Sequence, residues 1–355
     1  MTPFDSPDFD DHEAVHFYCD PASGLEAIIA LHSSALGPSA GGCRYWRYDT
    51  REAGLTDALR LSRGMSYKNA LADLPFGGGK AVILRNEKQT DRRAVFEAFG
   101  RAVDSLEGRY ITAEDVGTHV EDMQAIDRMT RYVSGIVSEH GVAGGDPSPK
   151  TAYGVFLGLR ETWRHVAGSE DLRGVRVAVQ GVGGVGGHLC AHLEEAGAKL
   201  VVADLNKDLV QRVVDEHGAV AVAPTEILHA DVEILAPCAL GAVLNADTIP
   251  KLRARAIAGG ANNQLATDAD GLALAERGIT YAPDYVVNAG GIISVASEYL
   301  GRGSEEEVRR KIERIPLTLR AILEAARDER LPTAAVADRL ARERIAAARR
   351  PAAAA

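Results

Sequence analysis

The chain has 355 residues, which suggests two domains on the usual length prior, and 46% of them are hydrophobic, enough for two packed cores. A formal charge of −10 and a pI near 5.5 argue against nucleic acid as a partner, because phosphate binding needs a basic surface. Four cysteines, Cys19, Cys43, Cys190 and Cys238, follow no zinc or Cys-x-x-Cys spacing and read as reduced thiols of a cytoplasmic protein, with no metal site expected.

Residues 1–13 are acidic and lack an apolar h-region, so no signal peptide is expected. No apolar run reaches spanning length, so no transmembrane helix is expected either. Residues 25–32 form a short apolar run suited to a strand. Residues 53–67 carry Ala58, Leu59, Leu61 and Met65 at helical spacing with charges between them. Residues 80–84 read as a buried strand entered directly from a glycine turn, 91–106 as an amphipathic helix and 109–112 as a strand. Residues 113–117 read as the loop leaving that strand. The stretch 141–149, rich in Gly and Pro, is the expected domain boundary.

After a helix at 151–165 the pattern changes to alternation. Strands are expected at 175–180, 199–204, 232–235 and 256–259, with helices at 186–196 and 207–217. That alternation predicts a parallel sheet with helices on both faces. Residues 305–350 read as helical, and the arginines from 339 to 350 alternate with alanine as on a solvated helix face. Pro351 and the final alanines are expected to fray.

Two glycine runs carry the chemistry. Gly77-Gly78-Gly79-Lys80 ends in a lysine that a crowded site would desolvate. Desolvation favours a neutral amine, which is a base. A second lysine, Lys68, lies upstream in Gly64-Met65-Ser66-Tyr67-Lys68-Asn69-Ala70, and two ammonium groups in one pocket repel. An isolated run of this kind reads equally as a glycine turn with a surface lysine. The second run, Gly181-Val182-Gly183-Gly184-Val185-Gly186, is a full GxGxxG between a strand and a helix. Its glycines serve a tight turn, close approach to a pyrophosphate at the helix N-terminus, and helix–strand packing. Asp204 ends the next strand, where a carboxylate binds a ribose 2′-hydroxyl and repels a 2′-phosphate. NAD is therefore favoured, with Lys207 nearby as the residue that keeps NADP open.

His188 and His192 stand four apart on the following helix, a spacing that suits a metal pair, but no third ligand accompanies them. Asn262 with Asn263, and Asn288 with Ala289, Gly290 and Gly291, follow apolar segments and read either as ligand-facing or as turns. Asp115, beside Gly117, reads alone as a solvated or capping aspartate.

These segments, in this order and over nearly the whole chain, resemble the amino acid dehydrogenase superfamily of glutamate, leucine, phenylalanine and valine dehydrogenases, most closely the leucine branch. The resemblance implies an α/β fold of two domains. Residues 1–147 plus about 325–355 would form a catalytic and oligomerisation domain, and 148–324 a Rossmann NAD-binding domain, with a cleft between them. It implies Lys80 as the general base on water, Asp115 as the group exchanging protons with the amino nitrogen, and Lys68 as the anchor of the substrate α-carboxylate. Thr151, Asn262 and Asn288 would hold nicotinamide and substrate, and Leu205, Cys238 and Ala239 would line the dinucleotide with the glycine run and Asp204. A homo-oligomer acting on a small amino acid is implied.

The resemblance also bears on the side-chain pocket, which would involve Ala40, Gly41, Gly42, Ala113, Ile292 and Val295. Glutamate enzymes carry a lysine at the Ala40 position and a serine at the Val295 position. A carboxylate buried against alanine and valine has no partner, so glutamate is disfavoured. Ala40 leaves room for a larger side chain and Ile292 narrows the pocket again. The expectation is an enzyme of leucine, valine and isoleucine, with phenylalanine as the alternative and a non-catalytic NAD-binding protein as a more distant one.

Overall fold

The computed structural model describes residues 2–136, 146–301 and 303–349. Residues 141–145 of the expected boundary stretch, Arg350 and the expected frayed end from Pro351 lie outside the described residues. The chain divides into two compact units. The first holds Met1–Gly145, Val295–Ser304 and Ala341–Ala355, and the second holds Asp146–Ser294 and Glu305–Leu340.

The return to the first unit therefore comes at Ala341 rather than near 325, and a second short piece, Val295–Ser304, joins it. Side-chain contacts account for both differences. The helix Ile315–Glu329 packs on Ser148–Ala167, where Arg320 pairs with the buried Glu161 at 2.9 Å, and Thr333 Oγ1 donates to Tyr281 O. Those anchors hold 315–340 in the second unit. From Arg342 onward the partners change: Arg342 pairs with Asp10 at 2.8 Å, and Arg344 donates to the carbonyls of Ala70 and Leu71. Glu298 accepts from the backbone N–H groups of Gly135 and Ile136, and Tyr299 packs edge-on against Phe76, which ties 295–304 to the first unit.

The first unit is built on a mixed sheet of β1 (Ala14–Asp20), β2 (Leu25–Ser33), β3 (Ser39–Ala40), β4 (Cys43–Trp46), β5 (Gly77–Leu84) and β6 (Tyr110–Ile111). Its order is β1-β2-β5-β3-β6, with β4 also paired to β5. Alternation along β2 and β5 sends side chains to two cores. Leu25, Ile29, Leu31, Ala81 and Ile83 pack with Phe96, Phe99 and Val103 of α2 (Arg92–Asp104) and Met123 and Ile126 of α3 (Val120–Asp127). Ile28, Ala30 and Val82 pack with Leu55, Ala58 and Leu59 of α1 (Arg51–Leu71). α1 starts at Thr50, whose side chain accepts from Ala53 N, and runs past the expected end at 67, so Lys68 lies in its last turn.

Gly77, Gly78 and Gly79 lie inside β5 and none has a positive φ, so the expected glycine turn is absent. The glycines answer to crowding. A Cβ at Gly77 would lie 1.9 Å from Ser33 O, at Gly78 2.1 Å from Ser66 N, and at Gly79 2.7 Å from the Tyr110 ring.

The second unit has a parallel sheet of β7 (Arg176–Gln180), β8 (Lys199–Ala203), β9 (Val220–Ala221), β10 (Ile234–Pro237), β11 (Ala256–Ile257) and β12 (Thr280–Tyr281). The spatial order β12-β11-β10-β7-β8-β9 is, numbered from β7, the 3-2-1-4-5-6 order of a doubly wound dinucleotide-binding fold. Helices α4 (Ser148–Ala167), α5 (Gly184–Glu195) and α6 (Lys207–His217) alternate with or pack on these strands. Their buried partners include Val177, Val179, Leu189, Val202 and Val213. Among the described residues no helix is long and apolar enough to cross a membrane.

Candidate active site

Alternation along β5 decides where Lys80 goes. Val82 packs into the core under α1 and Gly78 is pressed against Ser66 of α1, so Lys80, between them in register, projects to the same side. That is the side of the helix that bears Lys68, which is half-buried. Asn69, fully buried, clamps the two elements by donating Nδ2 to Gly77 O at 2.7 Å.

Lys80 is 5% exposed, and its Nζ lies 3.0 Å from Asp115 Oδ2. Asp115 sits in the loop after β6. Thr118 Oγ1 shapes that loop by accepting from Asp115 N and donating to Asp115 O, and Gly117 turns it with φ +81°. Arg44 of β4 donates Nε to the same Oδ2 at 3.1 Å and Nη1 to Asp57 Oδ2 of α1 at 2.8 Å. Burial pushes the Asp115 carboxyl up, but the charges of Lys80 and Arg44 and their hydrogen bonds outweigh it and hold it below its ordinary value. It is an anion between two cations.

Ala40, Gly41 and Gly42 line up beside this pair. Ala40 is buried and pairs with Gly78 and Ile111. A Cβ at Gly41 would lie 1.9 Å from Gly79 O, and one at Gly42 2.8 Å from Asp115 Cβ. Ala113 O accepts from Cys43 N at 2.8 Å. The first unit thus gathers Ala40, Gly41, Gly42, Lys80, Ala113 and Asp115 around one strand crossing, with Lys68 on the adjoining helix. Val295 falls in the first unit and Ile292 in the second, three apart on α7 (Gly290–Tyr299) and hence on one helix face.

In the second unit the glycines of the run meet different surroundings. Gly181 has φ +87°, and a Cβ there would lie 2.7 Å from Ala239 Cβ. A Cβ at Gly186 would lie 1.9 Å from Gly181 O, which fixes α5 against the turn. A Cβ at Gly183 meets nothing within 4 Å: this glycine caps α5 at an open face. Asp204 Oδ2 accepts from Val182 N at 2.8 Å and Oδ1 from Asn206 N at 2.9 Å, so the carboxylate also braces the run. Leu205 beside it is 86% exposed.

Cys238 and Ala239 follow β10 directly. Gly260 N donates to Cys238 Sγ, and burial pushes that thiol up to about 11. Asn288 donates Nδ2 to Asn262 Oδ1 at 2.8 Å and to Gly260 O, which joins the two segments that the sequence left open as ligand-facing or turn. Asn288 Oδ1 is buried and has no partner among the described residues, an arrangement that costs about 1–3 kcal/mol unless a ligand donor fills it. Thr151 belongs to the same corner: a Cβ at Gly291 would lie 2.6 Å from its Oγ1. An open α5 N-terminus, an acid at the end of β8 and an orphaned amide oxygen fit a nicotinamide dinucleotide.

His188 and His192 share α5, but the His192 ring stacks on Phe156 with centroids 5.3 Å apart and tilts against Tyr153. Three supporting residues escaped the sequence reading. Arg44 carried no motif of its own beyond following Gly41-Gly42. Asn69 lies inside the Gly64–Ala70 segment already singled out and Gln264 directly follows Asn263; Gln264, fully buried, pins the Asn262 loop by donating to Gly259 O and Ala261 O.

Comparison with known proteins agrees with this geometry. Residues 12–132 match the family model of the Glu/Leu/Phe/Val dehydrogenase dimerisation domain, and 146–352 match that of glutamate/leucine/phenylalanine/valine dehydrogenase. The leucine dehydrogenase of Geobacillus stearothermophilus is 51% identical over 94% of this chain and 91% of its own. The valine dehydrogenase of Streptomyces virginiae is 49% identical over 95% of each chain. The crystal structure of L-tryptophan dehydrogenase from Nostoc punctiforme superposes with a TM-score of 0.83 at 44% identity, covering 96% of this chain and 97% of that one. With both units matched and half the residues shared with such relatives, the chain belongs to the glutamate/leucine/phenylalanine/valine dehydrogenase family of oxidoreductases.

Proposed function

We propose that this chain catalyses the reversible NAD-dependent oxidative deamination of branched-chain apolar L-amino acids, leucine first with valine and isoleucine, to 2-oxo acids and ammonia. The observation that carries the reading is the ion pair of the buried Lys80 with the half-buried Asp115, 3.0 Å apart, on the α1 side of the sheet. Lys68 anchors the α-carboxylate as a fixed charge. The nicotinamide supplies the acceptor for the hydride that leaves Cα. Lys80 then takes a proton from the water that adds to the imine carbon, and Asp115 returns a proton to the departing nitrogen. In the second unit Gly181 to Gly186 and Asp204 hold the dinucleotide, Leu205, Cys238 and Ala239 line it, and Thr151, Asn262 and Asn288 meet its nicotinamide end.

The names of the leucine and valine enzymes support a branched-chain substrate, and Ala40 and Val295 offer no partner for a side-chain carboxylate. The tryptophan enzyme and the small Ala40 favour a second reading, an aromatic substrate. Assembly as a homo-oligomer through the first unit fits the dimerisation-domain match, and a cytoplasmic location fits the unpaired cysteines.

The test is NADH formation with a panel of L-amino acids. Leucine should give the highest kcat/KM, and no turnover with any apolar member would sink the reading. A phenylalanine kcat/KM above that of leucine would move the assignment to the aromatic class. Lys80→Ala should abolish turnover while NAD still binds, and near-normal kcat in that variant would remove Lys80 from its role as base.

A further inference from the structure

Asp115 is held from behind by three side chains that the proposed chemistry does not use. Arg44 Nε donates to Asp115 Oδ2 at 3.1 Å, Arg44 Nη1 donates to Asp57 Oδ2 at 2.8 Å, and Tyr48 donates its hydroxyl to the same Asp57 oxygen. They come from three places: Arg44 from β4, Tyr48 from the segment after it, and Asp57 from the second turn of α1. The Arg44 side chain is only 21% exposed. A guanidinium in that position loses hydration and is stable only if its donors find acceptors, which the two carboxylates supply.

Sharing the arginine has a consequence for Asp115. Lys80 Nζ and Arg44 Nε both meet Oδ2, and Oδ1 receives no hydrogen bond from the described residues. One oxygen is tethered and the other is presented in a set direction. The tether also outlasts catalysis: Lys80 must give up its proton to act as a base, whereas an arginine keeps its charge throughout.

We infer that Arg44 is a positioning residue: it fixes Asp115, and is itself fixed by Asp57 and Tyr48, so that Oδ1 alone exchanges protons with the substrate amino group. The inference rests on the reading of Asp115 as proton carrier. In the exchange an N–H bond of the amino group breaks as an O–H bond forms at Oδ1, while Oδ2 stays paired. When ammonia departs, the same proton returns to nitrogen, so the carboxylate ends as it began.

The test uses the full-length enzyme with leucine and NAD and four variants: Arg44→Met, Arg44→Lys, Asp57→Asn and Asp115→Asn. Arg44→Met should lower kcat about 100-fold with the KM for leucine within about 3-fold, because misplacing a reacting group acts on the chemical step. Arg44→Lys should recover about 10-fold of that loss, since a lysine restores the charge but cannot span two carboxylates. Asp57→Asn should lower kcat about 5- to 10-fold through a loosened Arg44. Melting curves report folding, and if Arg44→Met does not fold, Arg44→Lys and Asp57→Asn carry the test. Near-parental kcat in the Arg44 and Asp57 variants, with turnover lost in Asp115→Asn, would overturn the role of Arg44 and leave Asp115 in place. A raised KM with unchanged kcat would make Arg44 a substrate-binding group instead. Near-parental kcat in Asp115→Asn would overturn the proton-carrier reading and this inference with it.

Discussion

Replacing Gly78 with alanine tests whether contact, rather than backbone freedom, is what the glycines before Lys80 provide. The added Cβ would lie 2.1 Å from Ser66 N, 2.2 Å from Ser66 Oγ and 2.5 Å from Ser62 O, and two of those three atoms are backbone of α1. A carbon needs about 3.5 Å from such neighbours, so β5 and α1 must separate by more than about 1 Å. The Asn69 Nδ2 to Gly77 O bond, 2.7 Å long, crosses the same seam and would stretch toward the limit of hydrogen bonding. Overpacking of about 1–3 kcal/mol and the loss of a buried amide hydrogen bond of about 1–3 kcal/mol together give about 2–6 kcal/mol of destabilisation.

The same displacement moves the helix of Lys68 away from the strand of Lys80, and a shift of about 1 Å is enough to lower turnover about 100-fold. Urea denaturation gives the first quantity and NADH formation at saturating leucine the second. Gly64→Ala on the same helix is the comparison. A Cβ there meets nothing within 4 Å, so that variant should be stabilised by about 0.5–1 kcal/mol. A Gly78→Ala protein whose stability stays within about 0.5 kcal/mol of the parent would refute the steric account.

Two further predictions concern acid stability and cofactor choice. Burial and the neighbouring His12 lower the pKa of His32 to about 4, so His32 contributes stability above the unfolded value of about 6.5 that is lost as pH falls through 4, about 3 kcal/mol in all. His32→Gln should flatten the fall in urea midpoint between pH 6.5 and 4, and a fall as steep as the parent's would place the acid lability elsewhere. Asp204→Asn keeps an acceptor for Val182 N but removes the charge that repels a 2′-phosphate, so the NADP to NAD ratio of kcat/KM should rise about 10-fold. An unchanged ratio would separate Asp204 from cofactor choice.

The second unit was legible because its signals are local. Gly186 meets Gly181 within the same turn, Gly181 meets Ala239 at the neighbouring strand end, and Asp204 reaches back to Val182. In the first unit the sequence singled out Lys80 and Asp115, which the structure brings together, but not the residues that support them. Arg44 finds Asp57 thirteen positions away but Asp115 seventy-one away, and no periodicity records that meeting. The two-residue strands β3 and β6 bring Ala40 and the Asp115 loop to β5, yet strands so short have no alternation to read. The late return to the first unit at Ala341 was hidden for a related reason: the tail is helical throughout, and only the partners of Arg320 and Arg342 say which unit each part serves.

The glycines explain why the charges of the first unit meet at all. Arg44 stands two positions from Gly42, Asp115 two from Gly117, and Lys80 two from Gly78. A Cβ at those glycines would lie 2.6 Å from Glu114 O, 2.1 Å from Tyr45 O and 2.1 Å from Ser66 N. Each charged side chain therefore leaves the backbone beside a point where two chain segments touch without a side chain between them. Lysine and arginine are long, but a 3.0 Å ion pair made by a lysine that is 5% exposed cannot be reached across an ordinary side-chain layer without leaving a void or admitting water. Only Gly117 of the three has a positive φ, so at the other two the residue type is set by contact and not by conformation. A sequence shows the same letter for both causes. The spacing of small residues beside charged ones, rather than the glycine run itself, is the signal that marks this site.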